Sequence, residues 1–387
     1  MRPPPGRPVI VGNTKVHGGF SLIDAAGLDR LLALLRRDGY QTIGPTVRDG
    51  AIVYDEVEGT ADLPVGWSDE QDGGHYRLKR RDDRALFGYV VGPHAIKRFL
   101  HPPVQQMWKA SKDGNGYRFE QPRPAEPRLA FIGVRPCDIR AMEIQDRVFQ
   151  EGAYQDAHYQ ARRKDVFILP VNCAQAAATC FCSSMGSGPK AERGFDLAIT
   201  ELDPAGDHRL LVEVGSERGR AFLDQMPCEN ATPDDVQTAQ EVSDRTAASM
   251  TRHKPADRVH ELLLRNLDHP RWDEVAERCL SCGNCTMVCP TCFCTQVDEG
   301  THFDDQEISR TRQWASCFGL DFAYVHGGSV RHSARSRYRQ WMTHKLATWH
   351  DQFGESGCVG CGRCVTWCPV GIDITEEVKA IQDSEVR

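Results

Sequence analysis

Apolar and polar positions along the first half of the chain predict a mixed α/β domain. Leu28–Arg37 repeats its apolar residues at a helical spacing, and Tyr40–Val53 reads as extended segments broken by Gly and Pro. Asp138–Phe149 has a second helical pattern. Short apolar runs that are typical of buried strands recur at Leu129–Val134, Val166–Val171, Leu197–Thr200 and Leu210–Val214. We therefore expect an α/β domain over residues 1–228.

The second half of the chain has a different pattern. Residues 229–257 are rich in Thr, Asp, Gln and Ser, which indicates a connecting segment or a long surface helix. His260–Arg278 is helical in pattern, is interrupted at Pro270, and leads directly into a cysteine-rich region. We expect a helical C-terminal domain over residues 258–387.

Composition narrows the class of protein. An apolar content of 40% can fill ordinary cores, and a net charge of -7 disfavours a nucleic-acid-binding protein. No apolar run approaches the roughly 20 residues that cross a bilayer, and Met1–Gly12 has no apolar signal core. We expect a cytoplasmic protein without membrane contact. In that compartment, the 16 cysteines are expected to bind metal rather than to form disulfides.

Eight cysteines form two copies of the run C-x2-C-x2-C-x3-C-P, the bacterial pattern for [4Fe–4S] clusters. The first copy is Cys279, Cys282, Cys285 and Cys289, and the second is Cys358, Cys361, Cys364 and Cys368. In this pattern the fourth cysteine of each run ligates the other cluster. The predicted ligand sets are therefore Cys279, Cys282, Cys285 and Cys368 for one cluster, and Cys358, Cys361, Cys364 and Cys289 for the other.

Two alternatives concern the type of site and of domain. A pair of zinc sites is the alternative to the clusters, and the two complete runs with their prolines disfavour it. The stretch between the runs is longer than in a compact ferredoxin, and its flanks look helical rather than hairpin-like. We therefore expect an α-helical dicluster ferredoxin domain with an insertion.

A second cysteine group is predicted at the ends of two strands. Cys137 and Cys173 each follow a predicted strand, and Cys180 and Cys182 lie in the loop after Cys173. Four thiolates would be sufficient for a third iron–sulfur cluster, with Asp138 as a substitute ligand. Packing as small apolar side chains and a redox-active dithiol remain the alternatives. For the three cysteines after the first run, we expect packing or supporting roles near the first cluster; these are Cys292, Cys294 and Cys317.

Motifs for several classes of enzyme are absent from the sequence. No Gly-x-Gly-x-x-Gly run opens a βαβ unit, so a Rossmann-type NAD or FAD site has no support. The metalloprotease, serine-hydrolase and phosphate-loop motifs are also missing. The chain is thus expected to be a non-catalytic redox subunit.

The chain resembles a known family along nearly its whole length. The segments that carry the resemblance are Gly39–Tyr54, Tyr76–Pro103, Gly133–Phe149, Asn172–Pro189, Cys279–Cys294, Arg312–Cys317 and Phe353–Ile374. They resemble the β (iron–sulfur) subunits of cytoplasmic NAD(P)-linked [NiFe] hydrogenases, or sulfhydrogenases, and the closely similar electron-transfer subunit of anaerobic sulfite reductase. The resemblance implies two [4Fe–4S] clusters at the eight cysteines of the two runs.

The same resemblance implies partners. They are a flavin subunit that takes hydride from NAD(P)H, a small iron–sulfur subunit, plus a large nickel-containing one, so that FAD, NAD(P) and the NiFe site belong to the partners. We expect an electron-transfer subunit of such a hydrogenase. The alternatives are the corresponding subunit of an anaerobic sulfite reductase and an iron–sulfur redox sensor, and the balanced charge disfavours the sensor. The basic stretch Arg310–Arg339 indicates charge compensation beside the clusters or docking to a partner.

Overall fold

The computed structural model describes residues 19–90, 92–254, 258–301 and 307–385. The segment Met1–Gly12 lies outside the described residues. The strands are β1 (Phe20–Ile23), β2 (Gln41–Arg48), β3 (Ala51–Glu56), β4 (Trp67–Asp72), β5 (His75–Arg80), β6 (Val104–Asp113), β7 (Gly116–Glu120), β8 (Leu129–Val134), β9 (Phe167–Pro170), β10 (Leu197–Leu202), β11 (Arg209–Val214), β12 (Glu229–Asn230), β13 (Thr295–Thr301), β14 (Glu307–Trp314), β15 (Tyr324–Val325) and β16 (Gly328–Ser329).

The helices alternate with these strands in the first half of the chain and dominate near the end. They are α1 (Ala25–Arg37), α2 (Lys97–Leu100), α3 (Pro136–Gln150), α4 (Ala157–Arg163), α5 (Glu217–Leu223), α6 (Pro233–Ala248), α7 (Val259–Arg265), α8 (Arg271–Arg278), α9 (Asn284–Met287), α10 (Ala334–Thr343), α11 (Trp349–Phe353), α12 (Arg363–Thr366) and α13 (Ile374–Glu385). Among the described residues, no helix is both long and apolar enough to span a membrane.

Two four-stranded sheets form the centre of the N-terminal half. One has the order β3-β2-β8-β9, in which β8 is parallel to both β2 and β9, and the other has the order β10-β11-β1-β12. A bridge between Val171 and Ile199 links the two sheets. Every residue of β8 is buried, as expected for a central parallel strand. The strands predicted at Leu129–Val134, Leu197–Thr200 and Leu210–Val214 are confirmed.

Helix α1 shows why the predicted helices form where they do. The Asp24 side chain caps its N-terminus by accepting a hydrogen bond from the Gly27 N–H at 2.7 Å. The apolar positions at helical spacing, which are Leu28, Leu31, Leu32 and Leu35, are fully buried in the main core. The other predicted helical stretch, Asp138–Phe149, lies within α3 and is also confirmed.

The polar segment at 229–257 contains a helix rather than an extended linker. Thr232 and Asp235 form a capping box at the start of α6, and Pro233 occupies the first turn. The interruption at Pro270 is confirmed, because α7 ends at Arg265 and α8 begins at Arg271. Residues 255–257, at the end of the predicted connecting segment, lie outside the described residues.

The insertion between the two cysteine runs contains a hairpin directly after the first run. Strands β13 and β14 form an antiparallel hairpin, and β14 pairs with β6, so one sheet has the order β13-β14-β6-β7. The expectation of flanks without a hairpin was therefore wrong. The alternating residues of Glu307–Trp314 offer no continuous apolar stripe for a helix, whereas pairing with β6 satisfies the backbone of β14 on its second edge. One sheet thus combines strands from both halves of the chain.

Candidate iron–sulfur centres

The first group of cysteines surrounds a cavity below the C-terminal end of α8. Its walls include Cys279, Cys282, Cys285 and Cys368, together with aromatic side chains at Phe318, Tyr338 and Trp341. Burial raises the pKa of the Cys285 thiol, and the nearby thiols of Cys279, Cys368 and Cys282 raise it further. The structure therefore places Cys368 of the second run beside three cysteines of the first run.

The second group has the reciprocal composition. Burial raises the pKa of the Cys364 thiol, and the neighbouring thiols of Cys358, Cys361 and Cys289 add to the rise. Cys289 of the first run thus stands with three cysteines of the second run. Cys364 also lines the first cavity and Cys289 also acts on the pKa of Cys285, so the two groups adjoin each other. The exchange of ligands between the two runs stays a prediction.

The loops that carry the cysteines direct backbone N–H groups at the sulfurs. The N–H of Ser281 donates to Cys279 Sγ at 3.4 Å, and the N–H of Gly360 donates to Cys358 Sγ at 3.4 Å. Both residues have a positive φ, 51° at Ser281 and 65° at Gly360, which turns these N–H groups toward the thiol. Such bonds stabilise thiolates and sulfur-bridged clusters.

A buried lysine supplies positive charge at the second group. Lys345 is 3% exposed, and its Nζ donates to Cys289 Sγ at 3.3 Å, to Thr291 Oγ1 at 3.2 Å and to the Gly357 carbonyl at 3.3 Å. A hydrogen bond from Cys292 and then the charge of Lys345 hold the pKa of Cys289 well below its usual value. A buried cation needs a compensating anion, and a thiolate-ligated iron–sulfur cluster is one.

The donor set fits two [4Fe–4S] clusters. Eight soft thiols stand in two groups of four, each group has backbone N–H donors, and one group has a buried ammonium. The loop that carries Gly360 is also tightly packed, because a Cβ on Gly360 would lie 2.8 Å from backbone atoms of Phe181 and Cys182. Among the described residues, no three His, Cys, Asp or Glu side chains stand as they would around a single metal ion.

The cysteines of the N-terminal half also come together. Strands β8 and β9 are parallel neighbours, so Cys137, in the first turn of α3, and Cys173, after β9, lie at the same sheet edge. Burial raises the pKa of the Cys182 thiol, and the thiols of Cys180 and Cys173 raise it further. The structure brings all four predicted cysteines into one group, in which Cys137, Cys180 and Cys182 are buried and Cys173 is half-buried.

This N-terminal cysteine group adjoins the second group of the ferredoxin runs. Cys361 acts on the pKa of Cys137, Cys180 and Cys182, and the Phe181 N–H donates to the Gly360 carbonyl at 2.9 Å. The loop that carries Cys180 and Cys182 therefore packs directly on the loop between Cys358 and Cys361.

Asp138 has a different role from the one expected. Its carboxylate forms a fully buried ion pair with Arg363, with an Oδ1–Nη1 distance of 2.9 Å, and it accepts a hydrogen bond from Tyr54 Oη at 3.1 Å. The expectation of Asp138 as a substitute metal ligand was therefore wrong, because the carboxylate is already bound to a cation. The pair joins α3 to α12, in the second cysteine run.

Comparisons with known proteins agree with this arrangement. Residues 278–372 match the family described as a 4Fe-4S dicluster domain. The chain is 32% identical over 296 residues to the β subunit of sulfhydrogenase 2 from Pyrococcus furiosus, and the alignment covers 74% of this chain and 81% of that protein. This chain belongs to the family of sulfhydrogenase β subunits. The hydrogenase part of the resemblance is thereby confirmed, and neither match supports the similarity to the sulfite reductase subunit.

The remaining cysteines of this sulfhydrogenase β-type chain are not confined to the first group. Cys317 is a neighbour of Cys285 in the first group, whereas Cys292 is a neighbour of Cys289 in the second. The packing or supporting roles expected for these cysteines stay predictions.

Two functional residues of this β-type chain were missed by sequence reasoning. Lys345 and Lys97 are both buried, and Lys97 Nζ donates to the Cys292 carbonyl at 3.1 Å and lies 3.9 Å from the ring centre of Trp314. Neither lysine stands in an apolar stretch of the sequence, because His344 precedes Lys345 and Arg98 follows Lys97. No local sequence signal would therefore have found them.

Proposed function

We propose that this sulfhydrogenase β-type chain is the electron-transfer subunit of a hydrogenase complex and carries two [4Fe–4S] clusters. The observation that supports it is the position of Cys368 beside three cysteines of the first run and of Cys289 beside three cysteines of the second. The proposed ligands are Cys279, Cys282, Cys285 and Cys368 for one cluster, and Cys358, Cys361, Cys364 and Cys289 for the other.

The residues of this chain determine what such clusters would do. When bound, the clusters supply one-electron redox chemistry. Phe318, Tyr338 and Trp341 line the first group with aromatic side chains, while Lys345 holds positive charge at the second group. Cys282 is exposed, so the first group reaches the surface and is the proposed point of electron exchange with a partner.

We also propose a third cluster on Cys137, Cys173, Cys180 and Cys182. All four are gathered at one sheet edge, and their contact with Cys361 would place a third cluster next to the second one. The three sites would then form one electron path from the N-terminal half to the exposed first group. Packing of four free thiols is the alternative.

The proposed partners are a flavin subunit that reacts with NAD(P)H, a small iron–sulfur subunit, plus a large NiFe subunit. The relative from Pyrococcus furiosus is part of a sulfhydrogenase, and the sequence contains no nucleotide-binding fingerprint of its own. Anaerobic purification of the native complex, followed by nickel and flavin analysis, tests this. A complex that contains siroheme and no nickel would contradict the proposal.

Variants of the full chain within its complex test the cluster assignments. Cys364→Ser is expected to remove about four iron atoms per chain, and Cys173→Ser to remove about four others, while Cys228→Ser is the control. Cys228 is exposed and its thiol faces only backbone carbonyls. Unchanged iron in Cys364→Ser would contradict the two-cluster assignment, and unchanged iron in Cys173→Ser would contradict the third cluster.

A further inference from the structure

Three cysteines outside the proposed ligand sets line a cavity of their own. Cys292, Cys294 and Cys317 face an open space of about 1260 Å³, solvent at its mouth included. Its other walls include Phe293, His344 and Lys345. Cysteine thiols are the donor type that holds iron–sulfur clusters.

The β13–β14 hairpin builds this cavity. Cys294 immediately precedes β13, and Cys317 follows the end of β14 by three residues. The N–H of Ala315 donates to the Cys294 carbonyl at 2.9 Å, which continues the ladder beyond the Thr295–Trp314 pair. The open end of the hairpin therefore holds Cys294 beside Cys317, and both residues line the cavity.

Two buried lysines favour an anion at these cysteines. Lys97 is 4% exposed and touches the Cys292 carbonyl, and both Lys97 and Lys345 act electrostatically on Cys292 and Cys294. Among the described residues, neither lysine forms an ion pair with a carboxylate. Burial lowers the pKa of Lys97 and so disfavours its charged form, and an anion on its side of Cys292 would stabilise that form.

We propose that Cys292, Cys294 and Cys317 hold a further iron–sulfur cluster, with three cysteine ligands and one corner open to water or a small ligand from the cavity. A structural zinc ion takes four protein ligands. His344 lines the cavity, but its Nε2 already shares a hydrogen bond with Gln352 Oε1 at 3.1 Å. A cluster with three thiolates needs no fourth side chain.

The proposed site lies between the two ferredoxin groups. Cys317 neighbours Cys285, and Cys292 contacts Cys289. A cluster there would connect to the proposed electron path by two routes, and this consequence alone rests on the proposed function. Binding of the cluster does not rest on it.

Iron and acid-labile sulfide are measured in the full chain, purified anaerobically within its complex. Cys294→Ser is expected to lower iron by three to four atoms per chain, roughly one cluster, and Cys317→Ser to do the same, with Cys228→Ser unchanged. Unchanged iron and sulfide in both variants would overturn the proposal, as would loss of zinc in place of iron. The Cys364→Ser variant reports separately on the two-cluster proposal, so failure of one assignment is distinguishable from failure of the other.

Alkylation of the wild-type complex provides a second readout that needs no variant. With iodoacetamide under anaerobic conditions, we expect Cys228 to be modified and Cys294 and Cys317 to stay unmodified until a chelator removes the iron. Modification of Cys294 and Cys317 in the iron-loaded protein would overturn the proposal. Peptide mapping that finds a Cys294–Cys317 disulfide in the anaerobic complex would overturn it as well.

Discussion

Replacing Lys345 by Met is expected to make one cluster harder to reduce. The Lys345 ammonium is buried and lies 3.3 Å from Cys289 Sγ, so its charge acts on the second group through a medium of low polarity. Reduction adds one negative charge to a cluster, and a nearby cation stabilises that charge. Removing the cation therefore lowers the reduction potential.

The size of this effect follows from Coulomb's law. The added electron spreads over the cluster, so the effective separation is larger than the contact distance, roughly 6 Å. With an effective dielectric constant of about 20, the interaction is about 2.8 kcal/mol. For a one-electron couple this corresponds to a fall of about 120 mV.

A redox titration of the intact complex, followed by EPR, measures the potentials of the two clusters proposed on the ferredoxin runs. Lys345→Met is expected to lower one potential and to change the other much less, because Lys345 contacts only the second group. Lys379→Met is the matched control, since Lys379 is exposed on α13 in the same half of the chain. Unchanged potentials in a Lys345→Met complex that retains its full iron content would refute the reasoning.

Two further predictions concern stability, and one concerns cluster content. Asp138→Asn leaves the Arg363 guanidinium buried without its anion, so the free energy of unfolding is expected to fall by about 3–5 kcal/mol in chemical denaturation, and by less in a variant that replaces both residues with apolar ones. Gly360→Ala is expected to reduce cluster content by a colour and iron assay, whereas Gly354→Ala, also at positive φ but with open space around it, should keep its iron. Burial and then the charge of Arg312 lower the pKa of His101 to about 3. His101 is therefore neutral in the folded protein, whereas the same side chain takes up a proton in the unfolded chain below about pH 6.5. As the pH falls between these two pKa values, His101 alone should thus lower the stability by about 1.4 kcal/mol per pH unit, and His101→Phe should remove this contribution from the slope in a pH series of unfolding measurements.

Local sequence patterns predicted the elements that depend on local chemistry. The spacing of the cysteine runs anticipated which thiols come together, because the loop geometry that brings three thiols to one point is encoded within a few residues, as the turns at Ser281 and Gly360 show. Strands such as Leu129–Val134 were equally visible, because they are buried on both faces and therefore apolar throughout.

Features that depend on distant partners were not predictable in the same way. The hairpin at Thr295–Trp314 is completed by pairing with β6, far away in the sequence, and its own residues show only a weak alternating pattern. Asp138 looked like a metal ligand because it follows a cysteine, but its partner Arg363 lies 225 residues away. The burial of Lys345 likewise depends on charges that only the folded chain assembles.

The sheet shared by β6, β7, β13 and β14 has a consequence for the order in which the protein is made. During synthesis, β6 and β7 leave the ribosome long before β14 is made. Until then, the edge of β6 that pairs with β14 in the folded protein has unpaired backbone N–H and C=O groups. Pairings between such distant segments form slowly because a long loop must close first. A nascent chain that pauses before Trp314 therefore exposes an unpaired strand edge. Truncated chains would aggregate through this edge, and a chaperone would have to cover it.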